Sequence, residues 1–418
     1  MAQLSNDCFK PGSNGSMSIE EGLALISERV RTAVEIEVVP LELADGRVLA
    51  GDVIAPLSLP GYDNSAVDGW AVRHADLHQG RETVLPVGVR IAAGDPADHE
   101  LGRGEAARIF TGARMPRGAD TVFMQEDVRE ENGQVLLPAG LGHGANRRLA
   151  GEDIALGAPA LAGGTRLRPQ HVALASALGF AELPVRRRLR VALLASGDEL
   201  VAPGHPLGSG AHYESNRAMM RGLLGRAGCE VTDFGILGDD PETLEHAILS
   251  ATEAHDLVLT SGGVSMGEED HTRAVVERIG TLVQWRLAIK PGRPITMAMV
   301  GGTPFVGLPG NPVAVFVTFT QVVRGLIARL SGEDWTPEPL LAVRAAFSYR
   351  KRAGRREFVR VSILRGADGV AEAMLHPREG SGAITSLTES TGLVELAESC
   401  TEVAPGDLVG YRPYSELF

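Results

Sequence analysis

Residues 257–272, LVLTSGGVSMGEEDHT, contain the pattern that decides the fold of this chain. The apolar run at 257–260 predicts a buried strand, which gives way to a loop rich in glycine and serine. Successive backbone amides at Gly262, Gly263 and Ser265 can bind an anion, and the serine hydroxyls add further donors. The strand and its loop therefore predict a phosphate-binding edge of a sheet.

The second half of the stretch brings three carboxylates to the same place, at Glu268, Glu269 and Asp270. The loop lacks the lysine of a P-loop, which disfavours a nucleoside triphosphatase. Taken alone, the stretch is equally well explained as a glycine-rich turn before a helix, with acidic residues that favour the helix dipole. Other loops must decide between the two interpretations.

The surrounding region alternates strands and helices. Strands are predicted at 189–195, 229–237, 256–260, 282–289, 294–300 and 305–308, and helices at 217–226, from 240, at 272–279 and at 312–330. Such alternation is typical of a parallel sheet with helices on both faces. Ligands of these sheets bind at loops beyond the carboxyl ends of the strands, so we expect the loops of this region to share one site.

Further loops at this predicted edge carry charged side chains. Glu199 and Asp239 follow two of the strands, and carboxylates there can hold a hard cation such as Mg²⁺. Glu199 could instead cap the next turn, whereas Asp240 is expected to cap the following helix and leaves Asp239 freer to face a ligand. Lys290 and Arg293, in a proline-stiffened loop, can bind phosphate or oxyanion charge, or form a solvated turn. The loop at 307–312 presents amides at a helix start. Together these loops suit a phosphorylated, metal-assisted substrate.

The remainder of the chain predicts further domains around this unit. We expect a flexible tail at 1–17, a discontinuous mixed α/β dimerisation domain at 18–55 and 152–188, an inserted β-rich domain at 56–151, the α/β domain at 189–331 and a C-terminal β-barrel-like domain at 337–418. Ser18 to Glu21 has the pattern of a capping box, and a short helix is predicted at 43–49. The predicted fold class is α/β plus β, multidomain, with a central parallel-sheet domain.

Composition excludes several classes of protein. The 418 residues carry a formal net charge of −13, which argues against a general nucleic-acid binder. The three cysteines, Cys8, Cys229 and Cys400, are widely separated and predict neither a disulfide framework nor a zinc site. No apolar run approaches the roughly 20 residues of a membrane span, and the N-terminus lacks a hydrophobic leader segment. We therefore expect a cytoplasmic protein that contacts neither membrane nor nucleic acid.

Seven motifs resemble one family. They are PGYDNSAVDGWAV, IFTGARMPRGADTVFMQED, RRLAGEDI, SGDEL, TSGGVSMGEED, IKPGRP and GLPGNPVAVF, and they are similar to motifs of the molybdopterin molybdenumtransferase family (MoeA and the gephyrin E-domain group), in the family's order. The resemblance implies an enzyme, a transferase, that converts adenylylated molybdopterin and molybdate to molybdenum cofactor and AMP with Mg²⁺. It also implies a homodimer whose active site lies between subunits.

The resemblance also assigns roles to individual residues. Positions that match catalytic positions of the family are Asp63, Asp153, Glu199, Asp239, Asp270 and Lys290, of which Glu199, Asp239 and Asp270 would hold the metal. Positions that match substrate-binding positions are Thr111, Ser261, Gly262, Gly263, Ser265, Arg286, Arg293, Pro309, Gly310, Asn311, Arg355 (or its neighbour Arg356) and Ser381. Arg286 and Arg293 stand where the family often has lysine, which keeps the charge and changes its geometry.

Two other functions remain open from the sequence. One is a molybdopterin adenylyltransferase, which would share the α/β domain without needing the DNSAVDG module. The other is a non-catalytic molybdopterin-binding scaffold, although such a protein would gain nothing from the carboxylates Glu199, Asp239 and Asp270. Expected partners are a second copy of the chain, the adenylyltransferase and apo-molybdoenzymes. The sequence does not decide whether water or a molybdate oxygen attacks.

Overall fold

A computed structural model of the protein describes residues 5, 7–11, 16–96, 99–262 and 271–417. Its centre is a sheet of six described strands. These are β1 (Arg190–Ser196), β2 (Glu230–Leu237), β3 (Leu257–Ser261), β4 (Thr281–Arg286), β5 (Pro294–Val300) and β6 (Thr303–Leu308). Their order across the sheet is β2-β1-β3-β6-β5-β4. The predicted α/β domain is confirmed, with strand bounds close to those expected.

The sheet is mixed, because one described strand runs against the others. β1, β2, β3 and β6 pair in parallel, whereas β5 pairs antiparallel with both β6 and β4. β4 therefore points the same way as the four parallel strands. Gly301 and Gly302, both with positive φ, form the tight turn between β5 and β6. As a result, the ends of β1, β2, β3, β4 and β6 and the start of β5 all lie at one edge.

Helices cover both faces of the sheet. They are α1 (Asn216–Arg226), α2 (Pro241–Ala254), α3 (His271–Ile279) and α4, which runs as Pro312–Thr318, a π-helical segment Phe319–Val323, and Arg324–Leu330. Asp240 caps α2 by accepting a hydrogen bond from Thr243 N, ahead of Pro241 in the first turn. Within the described part of the chain, α4 alone is long and apolar enough to cross a membrane, and it is 94% buried as a core helix.

The first described segments pack on the central domain. Helix Ile19–Arg29 begins with the predicted capping box and buries Leu25 and Ile26 in the same core as α4. Phe9 is buried against Trp285, whose indole Nε1 donates a hydrogen bond to Phe9 O at 2.8 Å. Within the segment predicted as a tail, Phe9 thus packs on an apolar surface of the central domain.

A small two-part region follows this helix. Strand Ile36–Pro40 pairs with Glu182–Arg186, Val53–Ile54 pairs with Pro159–Leu161, and helix Pro169–Ala177 lies beside them. The helix predicted at 43–49 is wrong: a 3₁₀ turn, Leu41–Leu43, ends before Gly46 in the left-handed region. Val48 and Leu49 instead form β-bridges to Arg166 and Val185. Tertiary pairing overrides the local preference of this segment.

The chain between these parts forms a second sheet. Its described strands lie in the order Thr121–Met124, Gly69–Val72, Ala106–Ile109, Thr83–Ile91, Gln134–Leu137, Arg129–Glu131. Asn64–Ser65 and Arg147–Arg148 form a separate ladder, and short 3₁₀ turns lie at His74–Asp76 and Gln125–Asp127. Strand Gly69–Val72, at the end of a polar loop in the sequence, is second from one edge of this sheet and pairs with a strand on each side.

The C-terminal part is a closed ring of five strands. Arg356–Arg365, Ala371–Leu375, Leu341–Ala345, Leu408–Pro413 and Gly392–Leu396 pair in that order, and the last pairs again with the first. Shorter elements are Tyr349–Arg350 paired with Glu402–Val403, the one-turn helix Thr385–Thr388 and the 3₁₀ turn Tyr414–Glu416. Closure leaves this small barrel with few free edges. Strand Ile289–Lys290, from the β4–β5 loop, adds to it beside Arg356 and Glu357.

Candidate active site between the central sheet and the barrel

The loops at the carboxyl edge of the central sheet face the barrel across one cavity of about 700 Å³. Nine residues predicted from the sequence line it: Glu199, Gly262, Lys290, Arg293, Pro309, Gly310, Asn311, Arg355 and Ser381. They come from four loops of the sheet and two segments of the barrel. The loops line one cavity because five strands end at the same edge of the sheet, so that the loops after them lie side by side.

Gly262 is fixed by its backbone conformation at the end of β3. Its φ is +84°, in the left-handed region, and a Cβ there would lie 2.7 Å from Ser196 O. Its N–H donates to Leu308 O at 3.2 Å, and Ser261 before it is buried. Only glycine fits where three strand ends approach this closely.

Three predicted residues of the same loop, Gly263, Ser265 and Asp270, lie outside the described residues. The anion-binding amides predicted for the loop are therefore placed only as far as Gly262. The structure leaves the assignments of those three residues as predictions.

The acidic loops after β1 and β2 are joined to each other. Asp198 N donates to Asp239 Oδ2 at 3.2 Å, and Asp239 N donates to Asp198 Oδ1 at 3.1 Å. This reciprocal pair ties the loop of Asp239 to the loop of Glu199. Glu199 is exposed and lines the cavity, whereas Asp239 is not among the lining residues. Among the described residues, no three His, Cys, Asp or Glu side chains form a group that could hold a metal ion. The predicted third ligand, Asp270, is outside that set.

The cationic side of the cavity is built around Lys290. Its Nζ lies 3.0 Å from Glu357 Oε2, which also accepts a hydrogen bond from the Tyr349 hydroxyl at 2.9 Å. Burial raises the pKa of Tyr349, and the hydrogen bond and charge of Glu357 raise it further, so the phenol keeps its proton. Arg286, at the end of β4, is exposed and is not among the residues that line the cavity.

Two further cations line the cavity with open side chains. Within the described part of the chain, the guanidinium groups of Arg293 and Arg355 make no hydrogen bond or ion pair. Both are therefore available for an anionic ligand. The bidentate geometry of guanidinium suits phosphate and related oxyanions.

The barrel loop that carries Ser381 is docked on the start of α4. Ser381 O accepts a hydrogen bond from Val313 N at 3.0 Å, and Asn216 Nδ2 donates to Gly310 O at 2.7 Å. Buried Arg360 holds the same loop, with its NH2 group 2.9 Å from Arg378 O. Burial lowers the pKa of Arg360. The loop of Pro309, Gly310 and Asn311 is thus supported from α1 and from the barrel.

Three predicted residues do not line this cavity: Asp63 and Thr111 of the inserted region, and Asp153 of the segment that follows it. Asp63 Oδ1 accepts from Ala150 N at 2.8 Å, and Thr111 donates to Asp68 Oδ1 through both its amide and its hydroxyl, at 2.8 and 2.7 Å. These bonds from Thr111 lower the pKa of Asp68. Asp153 is exposed. The structure of one chain does not bring them together with Lys290.

Sequence reasoning missed several residues of the cavity. Tyr349, Glu357, Arg360, His376 and Glu379 also line it, and all belong to the barrel. His376 Nδ1 accepts a hydrogen bond from Arg378 N at 3.1 Å, and its Nε2 lies 3.0 Å from Glu389 Oε2. Of these residues, Glu357 and Arg360 lie in the segment 355–360, where charged residues flank an apolar pair. The residues that this segment pairs with are distant in sequence, so the pattern alone does not place it at the cavity.

Comparisons with known proteins agree with this architecture. The model of the MoeA N-terminal region (domain I and II) matches residues 17–179, that of a "Probable molybdopterin binding domain" matches 192–329, and that of the MoeA C-terminal region (domain IV) matches 342–414. The three matches follow one another along the chain and correspond to the inserted and flanking regions, the central sheet and the barrel.

Full-length relatives and solved structures are also similar. The molybdopterin molybdenumtransferase of Haemophilus influenzae is 37% identical over 403 residues, covering 96% of this chain and 99% of that protein. The enzyme of the same name from a Nostoc species is 36% identical, covering 89% and 87%. A crystal structure of the molybdopterin biosynthesis moeA protein from Pyrococcus horikoshii has a TM-score of 0.80 and 30% identity, covering 96% of this chain and all of that one. The chain belongs to the molybdopterin molybdenumtransferase family.

Proposed function

We propose that this protein inserts molybdenum into molybdopterin during molybdenum cofactor biosynthesis. The relatives described above are named molybdopterin molybdenumtransferase, and they match this chain over nearly its whole length. In the finer form of the proposal, the substrates are adenylylated molybdopterin and molybdate, and AMP is released. The observation that carries it is the cavity that joins the predicted residues of the sheet edge with those of the barrel.

The chain's own residues suit a substrate with phosphate groups. Arg293, Arg355 and Lys290 supply positive charge along one side of the cavity. Donors fixed by the fold stabilise charge on non-bridging oxygens as a phosphoanhydride is split, since they need not reorganise during the reaction. Gly310 and Asn311 line the same space at the start of α4, where backbone amides can bind an anion. Molybdate, a tetrahedral dianion, would use the same kinds of donors.

A divalent cation fits the acidic side of the cavity by its donor chemistry. Glu199 and Asp239 offer carboxylate oxygens at neighbouring strand ends, and Asp270 would complete the set. Bound there, Mg²⁺ would neutralise phosphate charge. The reciprocal bonds between Asp198 and Asp239 keep the two loops in register before any ligand binds. We assign these three carboxylates to the metal as part of the proposal.

We also propose a homodimer with active sites shared between subunits. Two observations support it. Several apolar side chains of the two-part region and the residues next to it are exposed to solvent. The exposed fraction is 57% for Ile36 and Val38 and 61% for Leu43, and Ile54 and Leu57 are also exposed. In addition, Asp63, Thr111 and Asp153 do not line their own chain's cavity. A second copy could bring them to it.

The test is a reconstituted reaction. Purified protein is incubated with adenylylated molybdopterin, Mg²⁺ and molybdate, and both AMP release and bound molybdenum are measured. The proposal expects AMP release that depends on molybdate. The proposal fails if the rate of AMP release is the same with and without molybdate. Adenylylation of molybdopterin by ATP would instead identify the protein as the alternative, an adenylyltransferase. We expect the reaction in the cytoplasm, with the adenylyltransferase upstream and apo-molybdoenzymes as recipients.

A further inference from the structure

Glu357 is a buried carboxylate inside a cavity otherwise rich in cations. It is 3% exposed, and its Oε2 accepts from the Tyr349 hydroxyl at 2.9 Å while lying 3.0 Å from Lys290 Nζ. A buried carboxylate is strongly unfavourable unless a charge and hydrogen bonds compensate it. The contact with Lys290 is therefore held by the fold and is more than a surface ion pair.

The backbone fixes the two residues side by side. Ile289 and Lys290 form a two-residue parallel ladder with Arg356 and Glu357, and Arg356 N donates to Ala288 O at 2.8 Å. The loop that carries Lys290 thus belongs to the central sheet by its connections and to the barrel by its pairing. Any motion of the barrel against the sheet would move Lys290 with Glu357.

The Lys290 ammonium keeps donors for a ligand. Its side chain is 48% exposed, whereas that of Glu357 is 4% exposed. An ammonium group has three N–H donors, and the carboxylate needs one. The ammonium is thus anchored from the barrel side and open toward the cavity.

We propose that Glu357 is the residue that positions the Lys290 ammonium, and that the Tyr349 hydroxyl orients the Glu357 carboxylate. The charged or titratable groups that line the cavity beside this pair are Glu199, Tyr349, Arg293, Arg355, Arg360, His376 and Glu379. The consequence for turnover rests on the proposed function; the consequence for Lys290 does not.

The position of the Lys290 ammonium can be probed without any substrate. The full chain is treated with an amine-modifying reagent at pH 8, and labelling of Lys290 is followed by mass spectrometry. In Glu357→Gln the side chain loses the charged acceptor that holds it, so labelling should rise about twofold to fivefold, the range expected on releasing a partly exposed ion pair. Unchanged labelling would overturn the proposal.

Glu395 provides the matched control. It is a carboxylate of the same barrel, its side chain is 7% exposed, and it pairs with Arg412 at 2.9 Å outside this cavity. Glu395→Gln also removes a buried charge, so it shares any general loss of stability. It should leave Lys290 labelling at the wild-type level; an increase equal to that of Glu357→Gln would mean that both act by loosening the barrel.

A double-mutant cycle separates positioning from other roles of Glu357. With molybdate-dependent AMP release as the readout, Glu357→Gln should lower kcat in the wild-type background and change nothing further in Lys290→Met. Equal losses in both backgrounds would overturn the positioning role. If wild-type protein releases no AMP, the proposed function fails and the labelling result still decides this inference.

A stability comparison covers the case in which Glu357→Gln alone does not fold. Lys290→Met leaves a buried carboxylate without its counter-charge, which is destabilising. Adding Glu357→Gln to that variant should raise its Tm. A double variant no more stable than Lys290→Met would show that the two charges are not coupled.

Discussion

Gly262→Ala is the substitution whose effect the structure predicts most directly. An alanine at φ +84° costs about 1–2 kcal/mol for the left-handed conformation alone. Its Cβ would also lie 2.7 Å from Ser196 O, a backbone atom that can yield only if the ends of β1 and β3 separate. Separating the strand ends adds a further cost in free energy. Together the two contributions should lower the free energy of unfolding by about 3 kcal/mol.

Gly204→Ala separates the two contributions. Gly204 has φ +92°, and nothing lies within 4 Å of the position its Cβ would take. It therefore carries the conformational part without the clash. Urea unfolding of both variants should show Gly262→Ala losing about 1–2 kcal/mol more than Gly204→Ala. Since Gly262 also lines the cavity, molybdate-dependent AMP release should fall in Gly262→Ala and stay normal in Gly204→Ala. Equal losses of stability would refute the close approach of the two strand ends.

Three further outcomes are expected. The Glu333 carboxylate is buried; burial raises its pKa, but two arginines outweigh that and hold it below its usual value. The stability that the ionised Glu333 contributes is fully present above its unfolded pKa of about 4.3 and is lost as the pH falls through the lower pKa of the folded state. The difference in Tm between wild type and Glu333→Gln should therefore shrink on acidification. A difference that stays constant with pH would contradict this. Val38→Glu, on the exposed apolar strand, should shift the protein toward monomer in analytical ultracentrifugation, and an unchanged dimer would place the interface elsewhere. Mixing Thr111→Val and Lys290→Met chains, each of which alone should keep only a small residual activity, should raise activity to about one quarter of the wild-type level, because half of randomly formed dimers contain one intact shared site; no increase would argue that each site is formed by a single chain.

The central sheet could be predicted because its signals are local. Apolar runs at 189–195 and 256–260 and the glycine and proline loops after them lie within a few residues of each other in sequence. Loops after parallel strands share an edge by chirality and topology, so Glu199, Gly262 and Asn311 could be placed together without a structure.

Contacts between distant segments could not be predicted in this way. The pair of Lys290 and Glu357 depends on a two-residue ladder between segments 67 positions apart, and neither residue carries a local signal for it. The same holds for Phe9 on Trp285, 276 positions apart. Propensity describes the chain over a few residues, whereas these contacts arise only when separate cores pack.

Acidic and basic side chains are divided between the two sides of the cavity. On the barrel side, Glu357 pairs with Lys290, and the buried guanidinium of Arg360 donates hydrogen bonds to carbonyl oxygens of the loop. Among the described residues that line the cavity, Arg293, Arg355 and the exposed part of Lys290 are therefore the cations available to a ligand. On the sheet side, Glu199 is an exposed carboxylate. A ligand with phosphate charge at one end and a cation-bridged group at the other would match both sides. A simple anion would be repelled by the acidic half, so the arrangement favours a substrate that arrives with, or recruits, a divalent cation.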